Sequence, residues 1–312
     1  MSEPRPTPEI SVVLISDAAE TIETVAQHLH QQSIHDRVEL VVATERPADP
    51  GLSALGNGRL AGVRVAEVDS ITPMSEARAA GVRAATAPYV FLGETHTFAA
   101  PEMLERLLEA HRAGRDRVAP VFENANPRNA VSWAGFLLDY GRYAGPAESG
   151  EARAPVYNCG YRRSVLLDLE PLGRLLEGGS TLNDDLRRAG CDPFRAGDAW
   201  LAHLNVATWS GLVRERYHVG RTVADRLSRR WPRSRRVLYV AGSPLIPPLL
   251  AYRTLREPRV REGVRSGPRG TLAAMLLALL VRGVGEAVGY AAGAGTSESS
   301  LEEIEIHKRR YA

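Results

Sequence analysis

Between Ser75 and Leu104 the chain reads SEARAAGVRAATAPYVFLGETHTFAAPEML. A small-residue helix over residues 76–85 gives way to a turn at Ala87-Pro88 and a β run, Tyr89-Val90-Phe91-Leu92. That run ends in a polar cluster, Glu94-Thr95-His96, and a new helix opens at Pro101. Because the run is apolar without alternation, it has to be covered on both faces. It delivers a carboxylate and an imidazole to its C-terminal edge, which is where open α/β sheets build ligand sites.

The rest of the first half repeats this grammar. Residues 10–15, ISVVLI, form a continuous β-branched strand ended by Ser16-Asp17, and a helical pattern follows over 19–32. Strands are expected at 38–43 and 63–68. Strand and helix then alternate up to residues 89–92, an order that predicts a parallel, doubly wound sheet. A helix over 101–113 carries Met103, Leu104, Leu107 and Leu108 on one face, with His111 near its end as a surface or C-capping residue. Residues 118–122 read as a further strand. The loop 123–129 is rich in amides and turn formers and leads to Ser132-Trp133 and Tyr140-Gly141, either an acceptor-facing segment or a connector.

Composition narrows the class only modestly. At 312 residues, with 44% hydrophobic and 24% charged residues, the chain is long enough for a large α/β domain and an appendage. Two cysteines, Cys159 and Cys191, are too few for a disulfide framework and lack CxxC spacing, as expected in a reducing compartment. The first ten residues are polar and proline-rich without the apolar core of a secretory signal. The expectation is therefore a cytoplasmic protein.

Several segments resemble the family 2 glycosyltransferases of the GT-A fold. In that family a helix reading AR-x-x-G-x-x-x-A precedes a strand ending FLD-x-D-D, whose acidic residues hold a divalent metal and a nucleotide sugar. Here Ala77-Arg78, Gly81 and Ala85 match the helix and Phe91-Leu92 the strand, while Gly93-Glu94-Thr95-His96 stands where the acidic cluster belongs. The opening strand resembles the family start, and Glu39–Glu45 resembles its second strand. Glu45 and Asp17 then stand in for the acidic residues that contact the nucleobase, or are solvated loop carboxylates. Residues 156–164, VYNCGYRRS, resemble G-x-N-x-x-x-RR and match at Asn158, Arg162 and Arg163. Arginine suits a diphosphate because its planar fork donates paired hydrogen bonds, although arginines at a helix start are also ordinary surface residues. The closing strand of the family carries a histidine that is often the last metal ligand, and His203 matches it.

The family's base is the aspartate of an ED pair before a helix ending LR-x-x-G. The corresponding helix here is 182–190, and counting back puts the pair on Gly178-Gly179. A slip of a residue or two offers Glu177. Asp184, facing the cleft, and Asp185, on the solvated side, are the remaining carboxylates. The resemblance implies an α/β GT-A fold with a C-terminal helical appendage, moving a sugar from a nucleotide-diphosphate donor to a saccharide, lipid or other hydroxyl acceptor, with inversion. It implies manganese or magnesium at Glu94, His96 and His203, and donor contacts from Asp17, Glu45, Arg78, Glu94, Asn158, Arg162 and Arg163. Glu177 or Asp184 would be the catalytic base. Gly93, Thr95 and Gly178-Gly179 at family acidic positions also fit an inactive binding or scaffold protein on the same frame.

The domain layout expected is a disordered N-terminus at 1–8, a GT-A glycosyltransferase-like domain at 9–212, an arginine-rich helical region at 213–295 and a polar tail, frayed or weakly helical, at 296–312. From Arg214 to Arg236 there are nine arginines, with no pattern of a nucleic-acid module, so no nucleic-acid partner is expected. The apolar run 237–251 is broken by Pro244, Pro247 and Pro248, and the run 272–281 ends at Arg282. Neither reaches the roughly 20 apolar residues of a membrane span. Peripheral contact with the anionic cytoplasmic face of a membrane, or a packed helical appendage, are the two readings left.

Overall fold

A computed structural model describes residues 6–151, 153–177 and 182–312. Strand β1 (Ile10–Ile15) is followed by helix α1 (Ala19–His30), β2 (Val38–Thr44), the short α2 (Pro50–Ala54), β3 (Gly62–Glu67), α3 (Met74–Ala84) and β4 (Tyr89–Leu92). Every residue of β1 and β2 is buried, as their largely apolar sequences require, Ser11, Glu39 and Thr44 included. All three pairings in the block β3-β2-β1-β4 are parallel, with Val12 opposite both Leu40 and Phe91.

The chain continues through β5 (Thr97–Ala99), α4 (Met103–Arg112), β6 (Arg117–Asn124), α5 (Ala130–Asp139), β7 (Gly150–Glu151) and β8 (Gly160–Arg162). Short helices α6 (Arg163–Leu167), α7 (Leu172–Leu175) and α8 (Leu182–Arg188) lead to the long strand β9 (Pro193–His203). The nine-stranded sheet runs β3-β2-β1-β4-β8-β6-β9-β5, with β7 on β9. Strand β8 lies antiparallel to both β4 and β6, so β6 runs with the parallel block. The fold is thus α/β, with a mostly parallel central sheet flanked by helices and a helical C-terminal region.

The sheet interior contains a clamped carboxylate. Glu39 on β2 is 3% exposed and accepts from Ser11 Oγ (2.6 Å), Thr86 N (2.8 Å), Thr86 Oγ1 (2.8 Å) and Arg64 Nε (3.2 Å). Burial pushes its pKa up, but these four donors outweigh burial and hold it below the ordinary carboxylate value. His111 corrects the surface expectation. It faces inward on α4 beside Leu107 and Leu108, stacks on Tyr89 and bonds the Arg115 carbonyl through Nδ1 (2.7 Å). Burial lowers its pKa to about 4, so the ring is neutral.

Cα packing divides the chain into two units, residues 1–123 with 145–202, and 124–144 with 203–312. Helix α5 falls in the second of these. Its Val131 and Leu138 pack with Leu212 and Ala278 of the second unit. That unit also holds α9 (Trp209–Ser228), α10 (Arg233–Gly242), α11 (Ile246–Leu255), α12 (Pro258–Ser266), α13 (Thr271–Ala292) and α14 (Ser297–Ile306). Helices α9 and α13 touch backbone to backbone. A Cβ on Gly285 would fall 2.2 Å from the Tyr217 carbonyl oxygen, and one on Gly220 2.1 Å from that of Arg282.

Two expectations for this region are corrected. The apolar helix does not stop at Arg282, because Arg282 is paired one turn on with Glu286 (3.0 Å) and the helix continues to Ala292. Among the described residues α13 is the one helix long and apolar enough to cross a bilayer, and 44% of its apolar window is buried inside the protein. The frayed reading of the tail is corrected in favour of the helical one, since α14 covers Ser297–Ile306. Ile304 and Ile306 are buried, and Lys308, 4% exposed, bridges Glu305 (2.8 Å) and Glu215 (3.2 Å).

Two stability predictions follow from these contacts. Glu39→Gln should cost about 1.5–3 kcal/mol at neutral pH, because an amide turns a donor toward donors. A depressed folded pKa stabilises above the unfolded carboxylate value and fades as pH falls through the folded one. The gap between wild type and Glu39→Gln in chemical melts should therefore shrink on acidification below about pH 4.5. Gly285→Ala should cost about 1–3 kcal/mol, read as a lowered Tm, by forcing α9 and α13 apart.

Candidate active site

The position of the site follows from topology. From β1 the chain builds outward to β2 and β3 on one side and to β4 on the other. The C-terminal ends of β1 and β4 therefore flank a switch point, where adjacent loops diverge and leave a crevice. Pairing of the two strands extends to the Gly93 N–H, which donates to the Val13 carbonyl (3.0 Å). A Cβ at residue 93 would fall 2.8 Å from Leu14 Cδ2, so Leu14 would have to turn aside for any side chain there. Glu94 is the first residue after β4 that carries a charge.

Glu94 is held by an unusual neighbour. Asn158 has φ 54°, a left-handed conformation that asparagine tolerates better than most residues. Its backbone N–H donates to the Leu92 carbonyl (2.6 Å), its Nδ2 to Glu94 Oε2 (2.5 Å), and its Oδ1 accepts from Thr97 Oγ1 (3.2 Å). Across the loop, His96 is 1% exposed, with Nε2 at 3.6 Å from Glu94 Oε2 and Nδ1 beside Thr95 Oγ1 (3.4 Å).

His203, at the end of β9, completes the group. One ligating atom from each of Glu94, His96 and His203 lies within 4.8 Å of the others. The His203 tautomer follows from its surroundings. Asn205 Nδ2 donates to Asn124 Oδ1 (2.9 Å) and to the His203 carbonyl (2.8 Å), which turns its Oδ1 toward His203 Nδ1 (2.9 Å). Nδ1 thus carries the proton and Nε2 the lone pair, the form in which an imidazole ligates a metal. Tyr140 packs on the ring at 4.4 Å, and Asn126 and Ser132 extend the amide network. Two ligands of one ion lie about 3–3.5 Å apart when each bond is about 2 Å. One carboxylate and two imidazoles at this spacing could hold a metal ion with small side-chain adjustments.

The segment that carries Asn158 also packs, through Tyr157, on a buried arginine. Arg78 of α3 is 3% exposed, lies 3.8 Å over the Tyr157 ring and has no carboxylate partner among the described residues. Tyr157 donates through its hydroxyl to the carbonyl of Leu176, the residue before Glu177. A guanidinium withdrawn from water without a counter-charge is a ready anion site.

The other expected donor contacts divide. Asp17 and Glu45 lie at the same sheet edge, after β1 and β2, and both serve the protein. Asp17 accepts from Thr21 Oγ1 (2.8 Å), and the exposed Glu45 accepts from Ile71 N (2.6 Å). Arg162 and Arg163 are not brought to this edge. The register sets Arg162 opposite Tyr89, at the start of β4, about five strand residues or 16 Å from Glu94. There Asp116 binds its guanidinium, while Arg163 donates to the Val82 (3.0 Å) and Arg83 (2.9 Å) carbonyls at the end of α3. Antiparallel β8 reverses the chain after Asn158, so each following residue moves away from the site.

Asp184 and Asp185 are exchanged relative to expectation. The Asp184 side chain is 65% exposed beside Arg187, whereas that of Asp185 is 20% exposed and paired with Arg188. Gly178-Gly179 lies outside the described residues. Sequence reasoning missed Tyr157 and Asn205, and it read the amides of 123–129 as an acceptor-facing segment or a connector, whereas Asn124 and Asn126 bond Asn205 behind His203. Tyr157 precedes the matched Asn158, and Asn205 stands two residues beyond the matched histidine, so adjacency was the available signal.

No family model and no curated protein matches the chain. Among solved structures, the crystal structure of S. aureus TarS 1–349 is similar, with a TM-score of 0.45 and 13% identity, over 97% of this chain and 91% of that one. The structure of the same S. aureus protein in complex with UDP gives 0.47 and 14% over the same shares. Both likenesses are distant, and the functional reading rests on the site.

Asn158→Ala tests the role of the left-handed asparagine. It should lose about 1–2 kcal/mol of stability from the backbone alone, while Asn158→Gly spares the backbone and removes only the Glu94 and Thr97 contacts. Asn158→Gly should accordingly fold and bind manganese more weakly by calorimetry.

Proposed function

We propose that this protein is a glycosyltransferase of the GT-A type, transferring a sugar from a nucleotide-diphosphate donor to an acceptor hydroxyl with inversion. The observation that carries the reading is the convergence of Glu94, His96 and His203 at a topological switch point. Open α/β sheets bind nucleotides there, and a metal-ligating set at that edge suits a diphosphate.

Glu94, His96 and His203 would hold manganese or magnesium, which supplies positive charge to the departing nucleotide diphosphate. Arg78, a buried guanidinium stacked on Tyr157, would add positive charge for the departing diphosphate. Asp17 and Glu45 lie where the nucleobase and ribose would rest. Glu177 is the base, accepting the proton of the acceptor hydroxyl as that oxygen attacks the anomeric carbon from the face opposite the diphosphate. A single displacement in this geometry inverts the anomeric centre.

Titrating nucleoside diphosphates by calorimetry, with and without manganese, tests the reading. Binding should require metal, and His203→Ala or Glu94→Gln should weaken it by at least about tenfold, one lost ligand contact being worth 1.4 kcal/mol or more. Arg78→Met should lower nucleotide affinity while manganese binding persists. Failure of every nucleoside diphosphate to bind, at any manganese concentration, would instead favour a non-catalytic protein on the same frame.

A further inference from the structure

Among the described residues, every exposed large hydrophobic side chain lies between Trp209 and Val284. The sheet-bearing unit exposes none. Within this span α10 and α11, with the turn between them, contain no buried residue. They nonetheless display Val237, Leu238, Tyr239, Leu245, Leu249 and Tyr252, the last four between 38% and 71% exposed. Helix α13 adds Leu272, Leu276, Leu280 and Val284 at four-residue spacing. Large contiguous apolar surface of this kind marks an interaction site.

Charge decides what covers it. Residues 229–284 carry twelve arginines against two glutamates, Glu257 and Glu262, with no lysine, histidine or aspartate. Two arginines of these helices lie on aromatic rings. Arg235 is 4.0 Å over Trp231 and 5.8 Å from Tyr239, and Arg256 is 5.4 Å from the Tyr252 ring. Aromatic rings with an apolar body and polar edge, mixed with long cationic side chains, suit the headgroup layer of a bilayer. A second copy would bring the same excess of positive charge against itself and be repelled. A nucleic acid would meet leucines rather than arginines across the middle of the surface.

We propose that the surface formed by α10, α11 and the outer side of α13 docks on an anionic phospholipid bilayer as a peripheral, non-spanning attachment. Helix α13 stays packed on α9 through Gly220 and Gly285, and only its outer residues enter the headgroup boundary. The prolines at 244, 247 and 248 then fit their place. They hold the α10–α11 connection in a compact turn that presents Leu245 and Leu249 without a continuous helix. This inference is independent of the donor-site reading.

Flotation of the full-length protein with phosphatidylglycerol–phosphatidylcholine vesicles, and with pure phosphatidylcholine vesicles, is the test. Binding is expected to the anionic vesicles only and to weaken at high salt, since a Debye length shrinks to about 3 Å at 1 M. Leu238→Asp/Leu249→Asp alters two exposed positions, so its Tm should match wild type while vesicle affinity falls at least about tenfold. Arg253→Gln/Arg256→Gln/Arg259→Gln should lose affinity and much of the salt dependence. No flotation with anionic vesicles overturns the proposal, as does equal flotation of the aspartate variant. So does a dimer, seen by light scattering, that the aspartate variant abolishes.

Discussion

The bond from Asn158 to Glu94 is the constraint around which the site is organised. A carboxylate at the mouth of a parallel sheet is useful only if its direction is fixed, and Asn158 fixes it with a 2.5 Å hydrogen bond. To do so it accepts a left-handed backbone, φ 54°, which also turns the chain into β8. The same residue ties its own N–H to Leu92, the last residue of β4, so the loop carrying Glu94 is bound to its neighbour on both sides. Local strain at one asparagine is offset by three hydrogen bonds, a balance typical of functional sites.

Arginine serves three different purposes in a chain that has a single lysine. Arg117 and Arg216 are buried cations with protein partners. Arg117 donates to the Ala154 and Pro155 carbonyls and to Asn183, and Arg216 is bound by Asp139 and Glu215. Arg162 and Arg163 close helix and strand ends from the surface. Arg78 differs from all of these, since it is as buried as Arg216 yet meets an aromatic ring in place of a carboxylate. That difference, invisible in composition, separates an arginine that stabilises the protein from one prepared for a ligand.

The helical unit solves its packing problem with small residues. Because Gly220, Gly285 and Gly289 let α9 and α13 approach to backbone contact, α13 satisfies one side with little side-chain bulk. Its leucines are left for the other side. Helix α5, contributed from the middle of the chain, fills the remaining core with Val131 and Leu138. The buried lysine near the C-terminus, bridging Glu215 and Glu305, anchors the last helix on the same core. The residues after 232 are therefore structural partners of α9 and not a detachable tail.

Periodicity and order were enough to read the strands β1 to β4, their parallel arrangement and the placing of Glu94 and His96 after a buried strand. Those features are local: an apolar run, a turn and a polar stop are all written within a dozen residues. The partner of Glu94, the tautomer of His203 and the burial of Arg78 depend on residues 64, 2 and 79 positions away, brought together by strand pairing and by an amide network. Arg162 and Arg163 looked suitable by spacing, yet an antiparallel strand carries residues away from an edge as steadily as a parallel one brings them to it. The sequence alone determined the sheet and the chemistry available at its mouth. Only the tertiary structure decided which charges face that mouth, because direction in a sheet is set by the neighbouring strand.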